Sequence, residues 1–325
     1  MKQKILFVCA ALLAPSFFFM SCNKDLPVFK KGSTDSSKTV TLINAAKVST
    51  IVSDYFQGVV TDKSGNIYAL KNTGTSTIYK VSASGQETAF YTPPAPTAQD
   101  TSTNTLNCLA TDSLGNVYTV STNNFTQLQS VLKIGPDGSV IAFIANLTQY
   151  VSNVNHYLSK IMVDKDGNLY FAGYDGIHEV KPDATSALLV PGVGVNGFAI
   201  DKSGNVIYPV TNGTTHTTTI EKMTPQGTQS NIGLPTTNFY NVTDIAADAF
   251  GDIYISTLAE TLNSIYVINT AGEQFTLIST PDGHADGPLA TAKIYGPFYL
   301  STDASGSLYF FDASGPGNYI RKITF

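Results

Sequence analysis

Tryptophan is absent from this 325-residue chain, and histidine (4) and cysteine (3) are nearly so. Each scarcity removes a class of explanation. Without Trp, the side chain best suited to stacking on sugars is missing, although 17 Tyr and 18 Phe supply aromatic bulk for a core. Cys9 and Cys22 lie near the N-terminus, so Cys108 is left with no partner for an internal disulfide. No Cys/His spacing suggests zinc, and stability must come from packing. Charged residues make up 13 %, against about a quarter in an average soluble domain. The net charge of −5 offers no basic footprint, which argues against nucleic acid as a partner. No nucleophile-elbow pattern is present either.

What is there begins with an address. Lys2 and Lys4 precede an apolar run from Ile5 to Met20, short for a membrane span and shaped like a secretory core segment. It ends in Phe19-Met20-Ser21-Cys22. A small residue just before a Cys resembles a bacterial lipoprotein signal of the Bacteroidota type. Phe19 and Met20 are loose matches to its usual pattern. The resemblance implies a signal peptide over 1–21, a lipid on Cys22 and anchoring in the outer membrane of the cell envelope. Residues 22–40 read as a flexible tether, because Asn23 to Lys38 are polar and include Pro27 and Gly32. Fully stretched, that segment reaches roughly 50 Å at about 3.3 Å per residue.

Residues 41–325 are organised by a repeat. The phrase Asp62-Lys63-Ser64-Gly65-Asn66-Ile67-Tyr68 returns from Asp112, Asp164, Asp201, Asp248 and Asp303. A period near 50 residues signals a stacked or radial architecture. The Asp and Gly predict a tight turn, the Asp accepting a backbone N–H and the Gly supplying a left-handed conformation. Alternating strands flank it, such as Leu109-Ala110-Thr111 before and Leu169-Tyr170-Phe171-Ala172 after. A third strand (Ile78-Tyr79-Lys80-Val81 and its siblings) and a fourth (Val140-Ile141-Ala142-Phe143) complete a four-stranded meander, one propeller blade. In the fourth copy Val206-Ile207 precedes Tyr208, an extra apolar residue that suggests a bulge. The sixth copy stops at its third strand, while Val48-Ser49-Thr50-Ile51-Val52 precedes the first. Closing the ring removes two unpaired edges. The expected fold is therefore all-β, a six-bladed propeller whose last blade is completed by the N-terminal strand.

The string Ala285-Asp286-Gly287-Pro288, with Ala292-Lys293-Ile294-Tyr295-Gly296-Pro297 and Asn318-Tyr319-Ile320-Arg321-Lys322-Ile323, resembles the NHL-repeat family. Asn196-Gly197-Phe198-Ala199 is similar to a motif of the gluconolactonase-like propellers, which are also six-bladed. In those metal-dependent relatives, ligands and catalytic groups point into the channel from the residue five before the recurring Asp. Carried across, that position gives Gln57, Asn107, Ser159, Asn196, Thr243 and Phe298. Asn107 and Asn196 match amide ligands, but Gln57 stands in place of a Glu and Thr243 in place of an Asp. Such an uncharged ring is a poor cage for a hard divalent cation and provides no general base. Asp244 is adjacent, but strand alternation points it away from the channel unless the register shifts. None of His156, His178, His216 and His284 occupies the ring position used by zinc-dependent NHL-type lyases. No metal site and no cofactor are expected.

Two local motifs belong to the scaffold. Gly192-Val193-Gly194-Val195-Asn196-Gly197 is followed by a strand, whereas phosphate cradling needs a helix start. Asp164-Lys165-Asp166-Gly167-Asn168 looks like the opening of a calcium loop, yet its five siblings form the same turn without Asp166. The variable connections fall on the face opposite the Asp turns, where binding residues usually sit. Among their aromatics, Tyr157, Phe239, Tyr240 and Tyr295 are the candidate platform, with Tyr55, Phe56 and Phe125 nearby. These readings describe a lipid-anchored, non-catalytic module that binds a protein or glycan. The alternative is a lactonase-like hydrolase or an NHL-type lyase.

Overall fold

The computed structural model describes residues 45–97, 102–150, 158–192, 195–212, 214, 217–233, 241–259, 262–314 and 317–325. The signal, Cys22 and the whole tether lie outside the described residues. The chain enters through β1 (Lys47–Ser53). Blade 1 follows as β2 (Gly58–Thr61), β3 (Ile67–Lys71), β4 (Thr77–Val81) and β5 (Glu87–Tyr91). Blade 2 is β6 (Asn104–Thr111), β7 (Val117–Asn123), β8 (Gln129–Ile134) and β9 (Val140–Ile144). Blade 3 is β10 (Lys160–Val163), β11 (Leu169–Gly173), β12 (Gly176–Val180) and β13 (Ser186–Pro191). Blade 4 is β14 (Ala199–Ile200), β15 (Val206–Thr211), β16 (Thr218–Met223) and β17 (Gln229–Asn231). Blade 5 is β18 (Asn241–Ala247), β19 (Ile253–Leu258), β20 (Asn263–Ile268) and β21 (Gln274–Thr280). A short β22 (Gly287–Pro288) precedes β23 (Pro297–Thr302), β24 (Leu308–Ser314) and β25 (Gly317–Thr324) of blade 6.

Every sheet is antiparallel, and the sixth has the order β22-β1-β25-β24-β23. The N-terminal strand thus lies outside the C-terminal one, with Val48 opposite Ile323 and Thr50 opposite Arg321. The ring is closed as the missing fourth strand requires.

Each recurring Asp builds its turn with its own side chain. Oδ1 of Asp62 accepts the N–H groups of Ser64 and Asn66 (both 2.9 Å), and Oδ2 accepts the Asn66 amide at 2.6 Å. The Gly65 N–H donates to the Asp62 carbonyl, and Gly65 takes φ +79°, a conformation that a Cβ resists. Tyr118, Tyr170 and Tyr309 add a hydroxyl to Oδ2 of Asp112, Asp164 and Asp303 at 3.0, 3.1 and 3.0 Å. Blade 4 departs from this, although not through a bulge. The pairing of β15 with β14 and β16 is continuous, so Ile207 simply occupies the register of the tyrosine. Tyr208 then falls on the opposite face and packs toward blade 3.

The core is distributed rather than central. Six buried clusters occupy the six junctions between neighbouring blades. Tyr68 and Leu70 meet Leu106 and Val117 at one junction; Phe56 and Val59 meet Tyr309 and Phe311 at another. Adjacent sheets pack through alternate side chains, so each blade buries both faces and the period-two pattern becomes continuously apolar in the inner strands. The axis of the ring, where β2, β6, β10, β14, β18 and β23 converge, is left to other residues.

Candidate functional site

A cavity of about 860 Å³ occupies that axis. It runs from the start of the inner strands to the Asp turns, and its lining comes from all six blades. Of the six positions that the sequence pattern assigns to the channel, Ser159, Asn196 and Thr243 line it. Gln57 is turned aside, its Oε1 accepting the Asn72 amide at 2.6 Å. The Asn107 carbonyl accepts the Thr119 hydroxyl at 3.1 Å, and Phe298 packs into the junction of blades 6 and 1. In these three blades Gly58, Cys108 and Tyr299 line the cavity instead, each one residue later.

Backbone irregularity explains two of these shifts and one further arrival. The register of β6 slips between Asn107 and Leu109, and that of β23 between Phe298 and Ser301. The intervening Cys108 and Tyr299 take φ +50° and +51°, left-handed conformations that cost about 1–3 kcal/mol in a residue with a Cβ. The third slip lies in β18, between Val242 and Asp244. This is the register shift that alternation alone does not include, and it turns Asp244 inward: Asp244 lines the cavity and is 3 % exposed.

Opposite it, β10 begins with Lys160, directly after Ser159. The Lys160 ammonium reaches across the channel to Asp244 Oδ1 at 2.6 Å and the Ile245 carbonyl at 2.7 Å. Asp244 Oδ1 also accepts the Ile245 N–H and Oδ2 the Leu300 N–H, both at 2.8 Å. Gly197 makes room for this carboxylate, since a Cβ there would lie 2.3 Å from Oδ1 and 2.5 Å from the Asp244 Cα. Burial pushes the Asp244 carboxyl above the usual carboxylate range, against the pull of Lys160 and the two N–H groups. The channel expected to be uncharged therefore contains an ion pair.

The neighbouring groups are subdued. Burial raises the Cys108 thiol to about 12 despite Lys160, and its Sγ donates to the Leu158 carbonyl at 3.1 Å. A thiol held so high is almost entirely protonated at neutral pH and is a poor nucleophile. The Tyr299 phenol rises to about 12 for the same reason, reinforced by Cys108 and Asp244. Ser159 donates to the Val195 carbonyl at 2.6 Å, and Thr243 to the Pro297 carbonyl at 2.6 Å. Toward the turns the lining includes Lys63, Lys165 and Lys202. Lys165 bonds to Asp166 and Lys202 to the Phe250 carbonyl, both at 2.6 Å.

The opposite face carries the variable connections. Phe125 is 87 % exposed, Tyr174 70 %, Tyr55 54 % and Tyr295 36 %, whereas Phe56 is buried. Tyr157, Phe239 and Tyr240 lie outside the described residues, as do His156 and His216. His178 stacks on Phe171 at 4.9 Å and bonds to Asp175 at 2.8 Å, a packing role.

The NHL-like string of the sequence has a structural purpose. Arg321, fully buried, donates to Asp312 Oδ2 at 2.7 Å, Asp286 Oδ1 at 2.8 Å and the carbonyls of Lys293 (2.5 Å) and Ala285 (2.8 Å). Asp286 in turn accepts the N–H and hydroxyl of Thr50 in β1, at 2.8 and 2.9 Å. Asp312 Oδ1 accepts the N–H groups of Tyr295 and Gly296 at 2.8 and 2.9 Å. The motif fastens the loop before β23 to the strand that closes the ring.

No family model and no curated protein sequence matches this chain. Solved structures do. A protein of unknown function from Bacteroides thetaiotaomicron superposes with a TM-score of 0.61 at 13 % identity, covering 86 % of this chain and 76 % of that one. A gluconolactonase from Xanthomonas campestris gives 0.58 at 12 % identity, covering 86 % and 91 %. The calcium-binding protein regucalcin from Agrobacterium tumefaciens gives 0.53 at 11 %, covering 85 % and 92 %. At such identities the likeness is one of fold alone, a six-bladed β-propeller. The calcium of the last protein has no ready cage here. Ca²⁺ takes about 6–8 oxygens including carboxylates, yet both oxygens of Asp244 are already engaged and Gln57 is turned away. Among the described residues, no group of three or more His, Cys, Asp or Glu side chains is placed to hold a metal.

Proposed function

We propose that this protein is a lipid-anchored propeller of the cell envelope, fixed to the outer membrane through Cys22, that binds a protein or glycan partner without catalysis. The observation that supports this reading best is the Lys160–Asp244 pair at the centre of the channel. Where a lactonase-like channel needs a carboxylate for a cation or for activating water, this carboxylate is already engaged at both oxygens by a lysine ammonium and two backbone N–H groups. The connections facing away from the Asp turns, with exposed Tyr55, Phe125, Tyr174 and Tyr295, supply the partner surface.

The test has two parts. Purified protein is analysed for bound metal and melted with and without chelator. No stoichiometric ion and an unchanged melting temperature are expected, and an ion whose removal lowers the melting temperature overturns the reading. Peptide and glycan arrays are then read with the native chain and with Phe125→Ala and Tyr174→Ala; binding that both variants retain removes the loop face as the partner surface. Cys22→Ala should release the protein from membranes.

The rival is a metal-dependent hydrolase. It is favoured by one detail: Asn196, at an amide-ligand position, does line the cavity. Metal analysis separates the two readings.

A further inference from the structure

The cavity has a feature that a scaffold does not need. Blade 4 is the thinnest of the six, with only two residues in its inner strand and three in its outer strand. Beside it the cavity extends sideways between blades 3 and 4, where Met162, Leu188, Leu189, Ile200, Val206 and Met223 line it. Methionine is well suited to lining irregular space of this kind. At the ring end, the extension meets the polar cluster around Lys160.

That cluster opens onto the channel. The Asn196 amide and the Tyr299 hydroxyl line the cavity, both are accessible there (Tyr299 is 38 % exposed), and no described residue hydrogen-bonds either. Lys160 spends two donors on Asp244 and Ile245, and an ammonium has three. At the ring end the charges are settled, because Lys160 and Asp244 neutralise each other. An ionic ligand head would find no uncompensated counter-charge there, and burying it would be costly. A volume of about 860 Å³ lies within the range of roughly 300–1,000 Å³ typical of small-molecule pockets, which pair an apolar lining with a few placed polar groups.

The geometry points to a small-molecule site in the channel, entered from the Asp-turn face, for an uncharged amphipathic ligand whose apolar body lies between blades 3 and 4 and whose carbonyl or hydroxyl end meets Asn196, Lys160 and Tyr299. This site lies away from the variable loops, so it stands or falls separately from the proposed partner surface.

Nile red, an uncharged dye with an aromatic body and a carbonyl, is a suitable probe. Titrated into the full chain, it should show one saturable site with blue-shifted emission. Ile200→Trp and Met223→Trp, which fill the space beside blade 4, should each weaken binding at least tenfold. Tyr299→Phe removes one hydroxyl without changing shape and should weaken it by roughly two- to tenfold, the value of one neutral hydrogen bond. Near-UV circular dichroism identifies any variant that has lost its fold, and Tyr299→Phe remains informative if the tryptophan variants have. Absence of a saturable site overturns the proposal. So does binding left unchanged by Tyr299→Phe and by whichever filling variant keeps its fold, or equal affinity for an anionic naphthalene-sulfonate dye.

Discussion

Two buried charged clusters, one at the rim of the last blade and one on the axis, have opposite characters. Around Arg321 a fully buried guanidinium joins two carboxylates and two carbonyls, and the carboxylates extend the network to Thr50, Tyr295 and Gly296. Nearly every group is spent on fastening loop to strand. Around Lys160 a smaller network satisfies its own charges but leaves Asn196 and Tyr299 directed at open space. A closed network specifies a structure, whereas an incomplete one in a cavity is available to a ligand. The recurrence of charge in an otherwise charge-poor chain thus has two separate causes.

The largest way to break this comparison is to remove what the rim cluster protects. Deleting residues 45–53 takes away β1, exposes the edge of β25 and leaves Asp286 without Thr50. A large fall in thermal stability, with aggregation through the open edge, is expected in scanning calorimetry and light scattering. A truncated chain that melts like the intact one would remove the closure as a stabilising element.

Next in size is Arg321→Leu. It strands Asp312, itself fully buried, without its cation, and breaking such a pair costs about 3–5 kcal/mol. Lys160→Met should cost less, about 1–3 kcal/mol, because Lys160 makes two bonds where Arg321 makes four and Asp244 can take up a proton. Urea unfolding of both variants measures the gap. An equal or inverted order would mean that the axial pair is also chiefly structural.

The sequence revealed the first cluster far better than the second. Asp286 and Arg321 stand in a recognisable string, and the sixfold Asp turn needs only local chemistry, an acceptor at its first residue and a left-handed glycine later. The channel lining depends on register. Alternation alone turns Thr243 inward and Asp244 outward, and Asn107 and Phe298 inward with their successors away. Slips in β6, β18 and β23 reverse or add to that pattern. At two of them the left-handed residue is Cys108 or Tyr299 rather than glycine, so no residue type announces the bulge. Lys160 follows a correctly placed Ser159, but its reach across the axis to blade 5 is visible only once the ring is assembled.

The two clusters should also separate by pH. Burial raises the Asp286 carboxyl, but Thr50 and Arg321 outweigh it and hold the group below the usual range; Asp244, buried more deeply, stays above. A depressed carboxyl contributes stability above its unfolded pKa, and that contribution is lost as pH falls through the folded value. A raised one contributes fully below the unfolded pKa of about 3.9, and its contribution declines as pH climbs toward the folded value. Melting temperatures from pH 3 to 7 should therefore fall less steeply toward acid in Asp286→Asn than in the native chain. In Asp244→Asn, the loss that the native chain suffers on rising from about pH 4 should disappear. Slopes that change in the same direction in both variants would erase the distinction.

The smallest effect is at one glycine of the channel, and a second glycine gives its contrast. Gly58 lines the cavity beside blade 2, and a Cβ there meets only Leu70 and Leu109 carbons at 3.9 and 4.0 Å. Gly58→Ala should change stability by no more than about 0.5 kcal/mol. A Cβ on Gly197 would lie 2.5 Å from the Asp244 Cα, so Gly197→Ala must displace β18 or the carboxylate and should cost about 1–3 kcal/mol. Because the displaced group is the partner of Lys160, the same variant should also disturb the Nile red site, while Gly58→Ala leaves it intact. If both substitutions are silent, the axis is loose enough to absorb a methyl beside Asp244, and the ion pair does not hold the ring end of the cavity in a fixed shape.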